Sequence, residues 1–183
     1  MKKLVVFLIV GLISTIGLSQ TSQSNFLYYN KEASDLMPNE VNSYRVKNGV
    51  KSLETLERLE NYSLRWGNYL MKKYDEYKDS SNMLFHHSKY GPSQYHLPKG
   101  IGENIGVAMY NEKPTMEEIV TQQMYGIFKG ENTNCYTKSY WHNYNILYPN
   151  AKYMGCAVFY KYDADRNQWI VFTVQTFDFQ LER

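Results

Sequence analysis

The chain has 183 residues with 20 basic and 18 acidic side chains, a formal net charge of +2. Two of the basic residues are Lys2 and Lys3, and without them 18 basic residues stand against 18 acidic ones. That balance leaves no basic excess with which to grip nucleic acid or to hold to anionic lipid.

The opening stretch, MKKLVVFLIVGLISTIGLSQ, sets the two lysines before an apolar run, Leu4 to Ile13, too short to span a bilayer. Gly17, Leu18 and Ser19 supply small residues at a cleavage point, so residues 1–19 read as a secretory signal rather than an anchor helix. The mature protein is then expected to be soluble, secreted and extracellular, with no integral membrane segment. About 160 residues remain, enough for one domain with a substantial core. There is no repeat and no low-complexity block to divide them. Residues 20–37 read as a loosely ordered lead-in and 38–183 as a single domain.

PNEVNSYRVKNG opens with Pro38 at a helix start and stops at Gly49. LETLERLENYSLRWGNYLMKKYDEY repeats Leu56, Leu59, Ser63, Trp66 and Leu70 at three- and four-residue steps, one face of a second helix. Its NYS, at Asn61, is a glycosylation acceptor by pattern, but on an amphipathic helix. PTMEEIVTQQMYGIF places Thr115 three residues before Glu118, a capping box, and aligns Met116, Ile119, Val120, Gln123, Met124 and Ile127 along one side of a third helix. After Cys135 the period changes. YWHNYNILYPNAKYMGCAVFY sets His142 before a run of aromatic and β-branched residues that reads as strand, and KYMGCAVFYKY and QWIVFTVQTFDF flank the turn DADRN as a hairpin. Helices first and strands later predict an α+β sandwich, a sheet covered by helices.

Two cysteines, Cys135 and Cys156, follow the signal. In an oxidising compartment an even pair is expected to be bridged, a constraint worth on the order of 3 kcal/mol. The polar residues that could do chemistry are four histidines, 86, 87, 96 and 142, and Glu103, set among glycines in GIGENIGVA. His87, Glu103 and His142 together would be a sensible donor set for a divalent transition metal. No GxSxG or HExxH pattern is present. Eighteen tyrosines offer amphipathic surface for interfaces or for glycan and lipid contact, and also ordinary filling for a helix-on-sheet core.

HNYNILYPNAKYMGCA resembles the pattern of the CAP superfamily (cysteine-rich secretory proteins, antigen 5, pathogenesis-related one), in which a His opens a short strand and a Gly-Cys pair follows thirteen residues later. GENI resembles the family's Gly-Glu-Asn-hydrophobic motif, FHHS its upstream His-Ser element, and VNSYRVKNGVKSL its first helix. The likeness runs from about Pro38 to Phe177. It implies a three-layer αβα sandwich, an antiparallel sheet flanked by helices, with a central cleft of two His and two Glu that in some members binds zinc or another divalent ion. Here the cleft would keep His87, Glu103 and His142, with Ile127 at the fourth position, where the family has Glu. The HYTQVVW run of the family is HNYNILY in this chain. With an acid missing, proton-transfer chemistry loses a partner. The resemblance therefore implies a non-enzymatic, venom allergen-like extracellular binder of sterol, fatty acid or a receptor protein, with no required cofactor and an optional zinc or other divalent cation. The alternative is a metal-dependent hydrolase using the His87, Glu103 and His142 cleft.

Overall fold

The computed structural model describes residues 26, 28–77, 87–124 and 140–179. The signal segment, Cys135 and Ile127 lie outside the described residues. Helix α1, Lys31–Lys47, starts seven residues before Pro38 and keeps that proline in its interior. Two facts extend it. The Asn30 side chain caps it by accepting from the backbone N–H of Ala33 at 2.8 Å, and Ala33, Met37 and Val41, spaced by four, form a buried stripe that runs past the proline on both sides. The lead-in expected over 20–37 is thus helical from Lys31 onward.

Strand β1, Glu54–Thr55, takes up residues read as the start of the second helix, which as α2 runs Glu57–Tyr77. Strand β2, Ile101–Tyr110, is the GIGENIGVA segment, whose glycines hide an extended run from any alternation count. Helix α3, Met116–Thr121, carries the expected capping box, with Thr115 Oγ1 accepting from Glu118 N at 3.1 Å and Thr115 N donating to Glu118 Oε2 at 2.7 Å. Helix α4, Tyr140–Leu147, is where a strand was expected, so His142 sits on a helix. β3, Tyr153–Asp163, and β4, Gln168–Asp178, form the predicted hairpin. Its turn is fixed by Asp165 N donating to Asp163 Oδ1 at 3.1 Å and by Asn167 at φ 54°.

The sheet order is β1-β3-β4-β2, antiparallel except for the short parallel pairing of β1 with β3. α1, α3 and α4 cover one face, where Met37, Val41, Ile119, Val120, Ile146, Met154, Val158 and Val171 pack with Cys156. α2 covers the other, packing Leu64, Trp66, Leu70 and Tyr74 on Phe159, Ile170, Phe172 and Val174. This is the three-layer α+β sandwich, with helices on both faces of a mixed four-stranded sheet. Cys156 is buried and makes no disulfide among the described residues, and burial pushes its thiol well above the usual range. No helix among the described residues is long and apolar enough to cross a membrane.

α2 comes unusually close to the sheet. Ser63 Oγ donates to Gly155 O at 3.1 Å, and Thr176 Oγ1 donates to the Leu59 carbonyl at 2.9 Å. The two bonds hold the helix close over β3 and β4, which a side chain at 155 would prevent.

Candidate functional site

β2 is an edge strand, and its first half carries the motif Gly102-Glu103-Asn104. Glu103 is buried, and its Oε1 accepts from the Ser88 backbone N–H at 2.9 Å and meets His87 Nδ1 at 2.9 Å. A carboxylate only accepts, so Nδ1 carries the proton of that bond and Nε2 is left as the acceptor of the ring. His87 is about one-third exposed, with a side-chain exposure of 34%, whereas Glu103 keeps 6%. The second carboxylate oxygen, Oε2, is buried and has no hydrogen-bond partner among the described residues. Sequence reasoning brought His87 and Glu103 together through motif order. It missed Ser88 as a backbone donor, because a main-chain N–H leaves no residue-type signal.

The other half of the site is α4. Asn104 turns the opposite way from Glu103, and its Nδ2 donates to the His142 carbonyl at 3.1 Å and to Gln175 Oε1 at 3.1 Å. Asn145 Nδ2 donates to Asn104 Oδ1 at 2.8 Å and to the Glu103 carbonyl at 3.2 Å. These amides bind α4 to the edge of the sheet, and they were legible only as the Asn of GENI and the second Asn of HNYN. From the far side, the buried Arg45 of α1 donates to the carbonyls of Ile146, Tyr148 and Lys51. His142 is thereby held half-buried, and desolvation, with the charge of His87 as a second cause, pushes its imidazole down to about 4. His142 is neutral at physiological pH and lies within electrostatic reach of His87.

A divalent cation needs three or four donors converging on one point. Among the described residues no group of three or more His, Cys, Asp or Glu is placed to hold one. Glu103 Oε1 and His87 Nδ1 are spent on each other. No chemical step is therefore routed through a metal.

The depressed His142 makes a pH prediction. The unfolded chain takes up this proton near the ordinary value of 6.5 and the folded one only near 4, so between them the unfolded state binds more protons. Stability is full above pH 6.5 and is lost as pH falls towards 4, at no more than about 1.4 kcal/mol per pH unit. Urea unfolding at pH 7 and pH 4.5 is expected to show the loss in the wild type and a smaller one in His142→Gln. Equal losses in both would place its source elsewhere.

On the side of α4 away from this cleft, Asn143, Tyr144, Leu147, Tyr148 and Pro149 line an open groove of about 220 Å³. Asn143 is held from α1 by Tyr44, whose hydroxyl donates to Asn143 Oδ1 at 3.0 Å. Tyr144 and Tyr148 are in ring contact at 5.5 Å, and Tyr148 meets Phe179 at 4.7 Å.

The frame is thus a helix–sheet–helix sandwich with a buried Glu103 on its edge strand, His87 paired to it from the preceding loop, and the second His on an adjoining helix. The chain belongs to the CAP family: the model of the cysteine-rich secretory protein family matches residues 39–177. Among solved structures, an outer surface protein from Borrelia burgdorferi is similar at 16% identity, with 81% of this chain and 93% of that one covered and a TM-score of 0.46. BmVAL-1 is similar at 15% identity, covering 81% and 77%, with a TM-score of 0.48. The venom allergen-like protein 4 of Schistosoma mansoni gives 16% identity, 80% and 88% coverage, and a TM-score of 0.41. No curated protein matches the chain by sequence.

Proposed function

We propose that the protein is a secreted, extracellular binding protein, not an enzyme, and that its ligand is a fatty acid or sterol held in the groove outside α4. The observation that carries this reading is the groove itself, walled by Tyr144, Leu147, Tyr148 and Pro149 and open to solvent. Apolar contact is worth about 25 cal/mol per Å², and micromolar binding needs about 8 kcal/mol net, so the ligand must bury upwards of roughly 330 Å². Purified protein is expected to bind oleate or cholesterol with micromolar affinity, and the variant carrying His87→Ala, Glu103→Ala and His142→Ala together is expected still to bind while it stays folded. Absence of binding to either lipid, with capture of an extracellular receptor domain instead, would replace the lipid reading by a receptor-binding one.

A second reading has one observation in its favour. His87 Nδ1 against Glu103 Oε1 at 2.9 Å is the arrangement of a base held by its orienting acid, with Nε2 left to activate water. Ester and peptide substrates with and without zinc test it, and turnover abolished by Glu103→Gln would make the protein a hydrolase. We also propose that Cys156 is bridged to Cys135. Mass analysis under non-reducing conditions is expected to find no alkylatable thiol, and two alkylated cysteines would end the idea.

A further inference from the structure

α4 serves two surfaces at once. One side holds His142 at the Glu103 cleft and the other presents Tyr144, Leu147 and Tyr148 to the groove. Eight residues make barely two turns, so a residue on one side and its counterpart on the other lie within a few ångströms along the axis. The helix is tied at both ends of this span. Asn104 and Asn145 fasten it to β2 at 3.1 and 2.8 Å, and Arg45 holds the carbonyls of its C-terminus. In a helix this short, a displacement of one side is carried to the other.

A second path bypasses the helix. Tyr148, in the groove wall, meets the Phe179 ring at 4.7 Å, and Phe179 N donates to Gly100 O at 2.9 Å. The same ring lies so close to Gly102 that a β-carbon there would stand 2.1 Å from it. Gly102 is bonded to Glu103, whose carboxylate holds His87. Displacing Tyr148 therefore presses, through Phe179, on the strand that positions Glu103.

We infer that the groove and the cleft are coupled: an apolar chain bound along Tyr144, Leu147 and Tyr148 repositions His142 and the Glu103–His87 pair, and the state of that pair sets the affinity of the groove. The inference rests on the lipid-binding reading above, and because coupling is reciprocal it is read from either end. The measurement is an oleate titration of the full mature chain at constant pH, following the imidazole resonances of His87 and His142, with calorimetric affinities for the wild type and Glu103→Gln. Expected are saturable shifts of both rings that track oleate binding, and an affinity changed at least about fivefold in Glu103→Gln. Oleate binding with both rings unmoved overturns the coupling and leaves the binding reading intact. No oleate binding at all overturns both. Tyr144→Glu places a charge in the groove and is expected to abolish binding and ring shifts together; shifts that persist in it would mean that oleate enters the cleft directly, which also overturns the coupling. The wild-type titration needs no variant to fold.

Discussion

Gly155→Ala is expected to destabilise the fold by about 3 kcal/mol, the upper end of what one added methyl costs in a packed core, and to lower Tm by on the order of 10 °C. The reason is where the methyl would go. A β-carbon at 155 would stand 2.2 Å from both Leu59 C and Glu60 N and 2.6 Å from Leu59 O. These are backbone atoms of α2, and no rotamer change relieves them, whereas what faces Gly67 is a side chain, the Phe159 ring. The helix would have to lift, stretching the Ser63 to Gly155 and Thr176 to Leu59 bonds at the same moment. Because α2 supplies the whole second layer, the loss should appear in global unfolding rather than in one fraying segment. A Gly155→Ala variant within 1 kcal/mol of wild type in urea would mean that α2 does not sit where the structure places it.

The same glycine shows how much of the molecule could be read from sequence. Gly155 and Cys156 were legible as a pair inside a strand, and the hairpin with its DADRN turn stood out because segments rich in Val, Ile, Phe and Tyr flank a cluster of turn residues. The capping box of Thr115 and Glu118 was equally plain, since it is a purely local signal. What the sequence hid follows a rule. β2 is a strand because β4 pairs with it over ten residues, a long-range fact that its glycines conceal locally. α4 is a helix although Tyr, Trp, Ile and Tyr favour a strand, because Arg45 and Asn104 hold its backbone carbonyls from outside and its own Asn145 ties it to β2. α1 runs through Pro38 because a buried stripe of Ala33, Met37 and Val41 outweighs one missing N–H. In the site, motif order found His87 and Glu103, which the fold joins, and His142, which it brings within electrostatic reach, but not the amide network that holds them.

Arg45→Met is expected to be the most damaging substitution outside the sheet, costing about 3–5 kcal/mol. Arg45 is fully buried, and its guanidinium is the donor to three main-chain carbonyls, those of Lys51, Ile146 and Tyr148. Two effects oppose each other. Burying the guanidinium is costly, as its lowered pKa from desolvation records, and its Nη2 has no partner among the described residues. Against that stand three charge-assisted bonds worth about 1.5–3 kcal/mol each, and a cation placed at the C-terminal end of α4, where the helix dipole favours one. The bonds win: methionine of similar length takes their donor from the Lys51 and Ile146 carbonyls and leaves the Tyr148 carbonyl with the Ala151 N–H alone. Lysine, a point charge without the planar fork, is expected to recover less than half of the loss. The damage has an address, because two of the three carbonyls lie at the end of α4. Amide exchange in Arg45→Met should accelerate most over residues 140–147, with the β3–β4 hairpin least affected, and the His142 imidazole should move from about 4 back towards 6.5 as the helix loosens and water reaches the ring. A loss spread evenly over the molecule, with His142 unmoved, would show that Arg45 supports the core at large and leaves the position of α4 to the asparagines.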